Sequence, residues 1–178
     1  MTERYTMFAG YNAWANERLY DAASKLSDAD YRADRGAFFK SVHGTLNHLL
    51  VADRIWMQRF TDTGDAPSKL DAILFEKFDE LRAARRSEDA RISKFCGELT
   101  DENLSGPLRY ISYRTITKPT EIRQELAPAL DHFFNHQTHH RGQTHCLLTS
   151  IGGRDAAPSL DLLVYQREMG LGGARQPS

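Results

Sequence analysis

The sequence predicts an all-α protein, a four-helix bundle with a short extended segment before its last long helix. Three observations carry this. Four long stretches repeat apolar residues in steps of three and four, the spacing that lines one face of an α-helix. The breaks between them are rich in Gly, Pro, Ser and Asp. A single stretch, Leu108 to Thr117, instead alternates between two faces and is rich in β-branched and aromatic residues. Helices with one apolar stripe each must bury those stripes against one another, and a bundle does this.

The first helix runs from about Arg4 to Leu26, with Phe8, Tyr11, Ala15, Leu19, Ala22 and Leu26 on one stripe. Ser27-Asp28-Ala29-Asp30 breaks it, and Tyr31 to Phe39 reads as an irregular connection containing Gly36. A second helix starts near Lys40 or Ser41, with Ser41 as its N-cap. Val42, Leu46, Leu49, Trp56 and Phe60 line its apolar face, and Gly64 and Pro67 stop it. The third helix covers about Leu70 to Leu99, with Leu74, Phe78, Leu81, Ile92, Phe95 and Leu99 in register. Arg85 and Glu88 interrupt that stripe with opposite charges, which reads as a mutual pair where the helix bends or leaves the core. A second reading sends Arg85 to an anionic substrate group. Leu108 to Thr117 reads as an extended segment or short hairpin, and Lys118-Pro119-Thr120-Glu121 as the entry to a fourth helix. That helix runs from about Thr120 to Ile151, and Pro128 marks either a kink or its true first turn. The tail from Pro158 reads as a short helical cover over one end of the bundle, and Gly170 to Ser178 as a loose terminus.

Residues 1–178 read as a single domain large enough to bury a proper core. A net charge of -1 with no block of like charge argues against nucleic acid or an anionic membrane surface as partner. No run reaches the roughly 18 apolar residues of a membrane span. Met1-Thr2-Glu3-Arg4-Tyr5 does not read as a signal peptide. Cys96 and Cys146 are too far apart to form a metal-type pair, and read as free, buried thiols in a cytoplasmic protein.

The chemistry concentrates in Asn135-His136-Gln137-Thr138-His139-His140-Arg141-Gly142-Gln143. A spacing of four stacks His136 and His140 on one helical face, where two imidazoles can share a transition-metal ion. Leu126, Ala129, Phe133, His136, His140, Gln143, Leu147 and Ser150 form a heptad seam, placing both histidines among core positions. Two readings fit: a shared metal ion, or a histidine pair satisfied by neighbouring hydrogen bonds. His132 reads as an outer donor or a residue at the mouth, His139 as an outer or exposed residue, and His145 as surface. Arg141 reads as a structural ion pair and Gly142 as a close helix approach.

A third ligand has to come from another helix. His48 is the better candidate, with Thr45 and Ala52 leaving room around it; His43 lies about 140° away and cannot face the same ion. The chain has no H-E-x-x-H and no E-x-x-H pair, which argues against zinc-peptidase and di-iron sites. A three-histidine mononuclear site leaves positions open, the catalytic rather than the structural arrangement.

Three stretches then resemble the motifs of a known family. They are Tyr11-Asn12-Ala13-Trp14-Ala15-Asn16, the run from Thr45 through His48 and Asp53 to Trp56, and Asn135 to Gln143. Together with Leu160-Asp161-Leu162 they resemble the DinB (damage-inducible, DinB/YfiT-like) metalloprotein family over nearly the whole chain. The resemblance implies an up-down-down-up bundle with a long crossover between the second and third helices, around Gly64 to Ser68 and beyond. It implies a divalent metal, zinc or nickel, on His48, His136 and His140, and a homodimer. It further implies an enzyme that transfers a low-molecular-weight thiol to a small-molecule electrophile. A metal-dependent hydrolase, and a non-enzymatic metal-binding stress-associated protein, are the alternatives. Arg85 and Tyr113 are the candidate substrate contacts.

Overall fold

The computed structural model describes residues 1–112 and 120–171. Four long helices form the bundle: α1 (Thr2–Ala23), α3 (Val42–Thr61), α4 (Phe78–Gly97) and α6 (Leu126–Gly152). Short elements join them: α2 (Asp28–Arg32), α5 (Asp101–Ser105), the strands β1 (Pro107–Ser112) and β2 (Thr120–Glu125), a 3₁₀ turn (Arg154–Ala156) and α7 (Leu162–Glu168).

Side-chain pairings between helices give their directions. Against α4, α1 pairs Asp21 with Arg82, Asn16 with Asp89 and Thr6 with Cys96, so these two run antiparallel. Against α6, α1 pairs Tyr5 with Asp131 and Asn12 with Arg141, a parallel arrangement. Helices α3 and α6 pair His48 with His140 and Trp56 with His132, antiparallel. Asp53 with Arg85 and Thr61 with Arg91 make α3 and α4 parallel. The order is up-down-down-up. Parallel neighbours need a long connection, and residues 62–77 supply it.

That connection corrects the third helix, which begins at Phe78 rather than Leu70. Its backbone bonds go to α3 instead of into a helix. Asn47 Oδ1 accepts from the amides of Leu74 and Phe75 at 2.9 and 3.1 Å. The Phe75 carbonyl accepts from the Asn47 amide at 3.3 Å and from His43 Nε2 at 3.0 Å. Leu74 and Phe75 still pack on the core, which is why Leu74 matches a helical stripe.

Other boundaries also move. Ser27 caps α2 by accepting from the amide of Asp30 at 3.1 Å, so the polar break is a second helix start, and α1 ends at Ala23. Ser41 caps α3 through the Gly44 amide at 3.0 Å, as its sequence position implied. Thr100 and Asn103 form a reciprocal capping box that starts α5, an element the periodicity did not indicate. Residues 120–125 are not a helix entry: they pair antiparallel with β1, Leu108 opposite Gln124 and Tyr110 opposite Ile122. Helix α6 therefore starts at Leu126, and Pro128 lies in its first turn, where a missing amide hydrogen costs nothing. The tail packs on the flank of α1: Tyr165 contacts Tyr11 and Trp14, and Tyr11 donates to the Leu160 carbonyl at 2.6 Å.

Besides a small cluster of Tyr11, Ala15 and Tyr165, the core holds two large apolar clusters along the bundle. One gathers Trp56, Met57, Ile92, Leu104, Leu130 and Phe133; the other gathers Leu19, Leu46, Leu50, Leu81 and Leu148. Between them, on all four helices, lies a buried polar belt of Asn12, Asn16, Asp53, Arg85, Asp89, Gln137 and Arg141. Cys96 is buried as expected, but Cys146 is exposed because it lies on the outer face of α6. Among the described residues, no helix is long and apolar enough to cross a membrane.

Candidate metal centre

His48 on α3 meets His136 and His140 on α6. One nitrogen from each ring lies within 4.8 Å of the other two. His48 Nε2 is 3.3 Å from His140 Nε2, which is 3.1 Å from His136 Nε2. A first-row ion held at about 2.0–2.1 Å sets its donor nitrogens roughly 3.0–3.4 Å apart, so the spacing fits a shared ion.

The protonation pattern fits as well. His48 Nδ1 lies 2.7 Å from the Leu70 carbonyl oxygen, and His140 Nδ1 lies 2.8 Å from Gln143 Oε1. Both oxygens can only accept, so both Nδ1 atoms carry hydrogen, and in the neutral form of each ring the Nε2 lone pair faces inward. Gln143 is oriented in turn by donating its amide to His139 Nε2 at 3.2 Å. Two lone pairs 3.3 Å apart repel, and a cation between them removes the conflict. Tying the outer nitrogen to a carbonyl is the usual way a protein orients a histidine ligand.

His48 and His140 are buried, whereas His136 is half-buried. The buried face of α6 runs through Leu130, Phe134, Gln137, Arg141, Thr144 and Leu148, one residue on from much of the heptad seam. His136 thus sits at the edge of the core and opens the centre toward solvent. His132 is exposed, with its ring 5.9 Å from that of His136 and 5.2 Å from that of Trp56. His145 is half-buried and His43 serves the crossover, as does Arg32 beside it. Phe39, which the sequence did not single out, stacks on His48 with ring centroids 3.7 Å apart.

The model of the DinB family matches residues 1–170. This chain belongs to the DinB family.

Protein DinB of Bacillus subtilis (strain 168) is 25% identical over 167 residues, covering 87% of this chain and 90% of that protein. The crystal structure of a DinB-like protein from Bacillus cereus ATCC 10987 superposes with a TM-score of 0.57. It is 16% identical and covers 78% of this chain and 87% of its own, a likeness of fold.

In this DinB-family chain the three motif stretches, together with Arg85 and Asp89 of α4, also build the polar belt beside the centre. Arg85 pairs with Asp53 at 2.7 Å and with Asp89 at 3.0 Å. It does not pair with Glu88, which binds Arg91 at 2.9 Å, and α4 does not leave the core there. Asp89 also accepts from Asn12 and Asn16 at 3.1 and 2.9 Å. Gln137 donates to Asp53 and to the Leu49 carbonyl. Arg141 forms no ion pair among the described residues; it donates to Asn12 and Thr138 and lies over the Tyr11 ring. Gly142 approaches no neighbour, since nothing lies within 4 Å of a Cβ placed there.

Burial pushes Asp53 up to about 7, against the pull of Arg85. Burial lowers Arg141, and would lower Arg85 too had not Asp89 and Asp53 pushed it up. The buried Arg85 is committed to two carboxylates of its own chain. Tyr113 lies outside the described residues.

Proposed function

We propose that the chain binds one divalent metal ion, zinc or nickel, through the Nε2 atoms of His48, His136 and His140. The observation that carries this is the pair of Nδ1–H groups fixed on the Leu70 carbonyl and the Gln143 side chain. They leave only inward lone pairs for binding, and neutral imidazole suits both metals.

The reaction proposed is transfer of a low-molecular-weight thiol to a small electrophile, in a homodimer. The family resemblance supports this half of the reading. When bound, such an ion would lower the pKa of a thiol and hold it as the thiolate nucleophile. The protein's own part is positional. Leu70 and Gln143 fix the tautomers of His48 and His140, Phe39 closes their inner flank, and half-buried His136 marks the side from which small molecules enter.

Elemental analysis of chain purified without a histidine tag should find about one zinc or nickel per three-histidine site. His140→Ala should abolish it. Unchanged metal content in that variant would end the site assignment. Consumption of an electrophile should require both metal and added thiol. Turnover without thiol, rising with pH, would replace thiol transfer by hydrolysis.

A further inference from the structure

We infer that Phe39 is a positioning residue of the metal centre, its flat ring setting the plane of His48 and covering the inner flank of His48 and His140. This inference rests on the proposed metal site. The Phe39 and His48 rings stack with centroids 3.7 Å apart and planes 15° from parallel. The same Phe39 ring meets His140 edge-on at 5.5 Å and 64°. It therefore touches one proposed ligand from each helix.

A hydrogen bond alone does not fix a ligand ring. The Nδ1–H bond to Leu70 restrains rotation about the Cβ–Cγ bond, but a single contact leaves the ring free to tilt around it. A flat aromatic surface on one face restricts that tilt, and it also blocks the half-turn that would exchange Nδ1 and Nε2. It keeps water from that flank, where a dry environment strengthens the attraction between a cation and its ligands.

The backbone is built to hold Phe39 there. The Phe39 carbonyl accepts from the amide of Ser41 at 2.8 Å, and Lys40 bonds back to the Ala37 carbonyl at 2.8 Å. The Arg35 amide donates to the Lys40 carbonyl at 2.8 Å. Lys40 adopts a left-handed φ of 67°, which costs a non-glycine residue on the order of 1 kcal/mol or more. Gly44 lets the loop lie on α3, because a Cβ there would come within 2.1 Å of the Phe39 carbonyl oxygen. The neighbouring Phe38 is 82% exposed, so burial is what distinguishes the residue that meets the histidines.

The test compares Phe39→Leu, which keeps apolar bulk without a flat ring, with Phe39→Tyr, which keeps the ring. Full-length chains are stripped of metal and titrated with cobalt(II), reading affinity by competition and ligand geometry by the visible absorption bands. Metal-free unfolding of each variant is measured alongside. Phe39→Leu should lose about 10–100-fold in cobalt affinity and shift the absorption bands. Phe39→Tyr should stay within about threefold of the parent with the parent's spectrum, whatever small change in metal-free stability accompanies it. If Phe39→Leu does not fold, Phe39→Met takes its place. Parent-like affinity and spectrum in the leucine or methionine variant would overturn the inference. So would equal losses in the ring-keeping and ring-lacking variants that track their metal-free stability, because Phe39 would then be ordinary core. Failure of the parent to bind cobalt would overturn the metal site itself, a result visible before any variant is made.

Discussion

His48 Nδ1 stands 2.7 Å from the carbonyl oxygen of Leu70, which joins the centre to the connection between α3 and α4. The preceding residue, Asn47, satisfies both backbone amides of Leu74 and Phe75. Consecutive residues of α3 thus do two tasks: His48 turns toward His136 and His140, and Asn47 anchors the segment that orients His48.

Asn47 is fully buried, so truncating it leaves two amides and a carbonyl short of partners. Asn47→Ala should cost about 1–3 kcal/mol in urea unfolding of the metal-free chain. It should also weaken metal binding, because the Leu70 carbonyl loses its fixed place. Parent-like affinity in a destabilised Asn47→Ala would separate the crossover from the centre.

Arg85 holds two buried carboxylates, and removing it strands both. Arg85→Met should cost about 3–5 kcal/mol, the penalty for breaking a buried ion pair from one side. Arg85→Met combined with Asp53→Asn and Asp89→Asn should recover part of that loss, because no unpaired charge remains. A cost below about 1 kcal/mol for the single change would place Arg85 among pairs that contribute little.

The sequence made the histidines legible but not the belt beside them. The spacing of His136 and His140, and the small residues around His48, follow directly from helical geometry. A heptad seam has a period of 3.5, whereas a straight α-helix turns every 3.6 residues. Helix α6 buries a face wider than that seam, holding Gln137, Arg141 and Thr144 beside Ala129, Phe133, His140 and Leu147, while His136 lies at its edge. Arg85 looked like the point where a stripe leaves the core, because its partner Asp53 lies on another helix and no spacing along α4 points to it. The crossover misled for a related reason: Leu74 and Phe75 bury apolar side chains as a helix would, while their amides go to Asn47. Phe39 gave no sequence signal, since its position depends on a left-handed turn at Lys40 and on the space at Gly44.

Asp53 gives the belt a pH signature. Its folded pKa, raised by burial to about 7, lies above the ordinary carboxylate value, so between roughly pH 4 and 7 the folded state holds a proton that the unfolded state releases. Stability from this group is complete below the unfolded pKa and declines as pH rises through the folded one, by at most about 1.4 kcal/mol per pH unit. Subtracting the metal-free profile of Asp53→Asn from that of the parent isolates this slope, since histidine titrations are common to both. Glu17 works in the opposite sense: its hydrogen bonds with Arg86 bring it down to about 2, so its contribution is lost as pH falls below the carboxylate range. A flat difference between pH 4 and 7 would show that Asp53 stays ionised beside Arg85.

Two glycines on the long helices should respond oppositely to alanine. Gly142 lies in the exposed interior of α6 with nothing within 4 Å of a Cβ, so only backbone entropy and helix propensity change. Gly142→Ala should stabilise the chain by about 0.5–1 kcal/mol and leave metal affinity alone. At Gly44 the added methyl would come within 2.1 Å of the Phe39 carbonyl oxygen, and that obstacle is backbone, so the loop must lift from α3. Gly44→Ala should therefore lower stability despite its better helix propensity, and weaken metal binding by loosening the contact on His48. Thermal unfolding in chelator and a cobalt titration of both variants measure the two effects separately. A stabilised Gly44→Ala with parent-like affinity would mean that the loop can move without disturbing the centre.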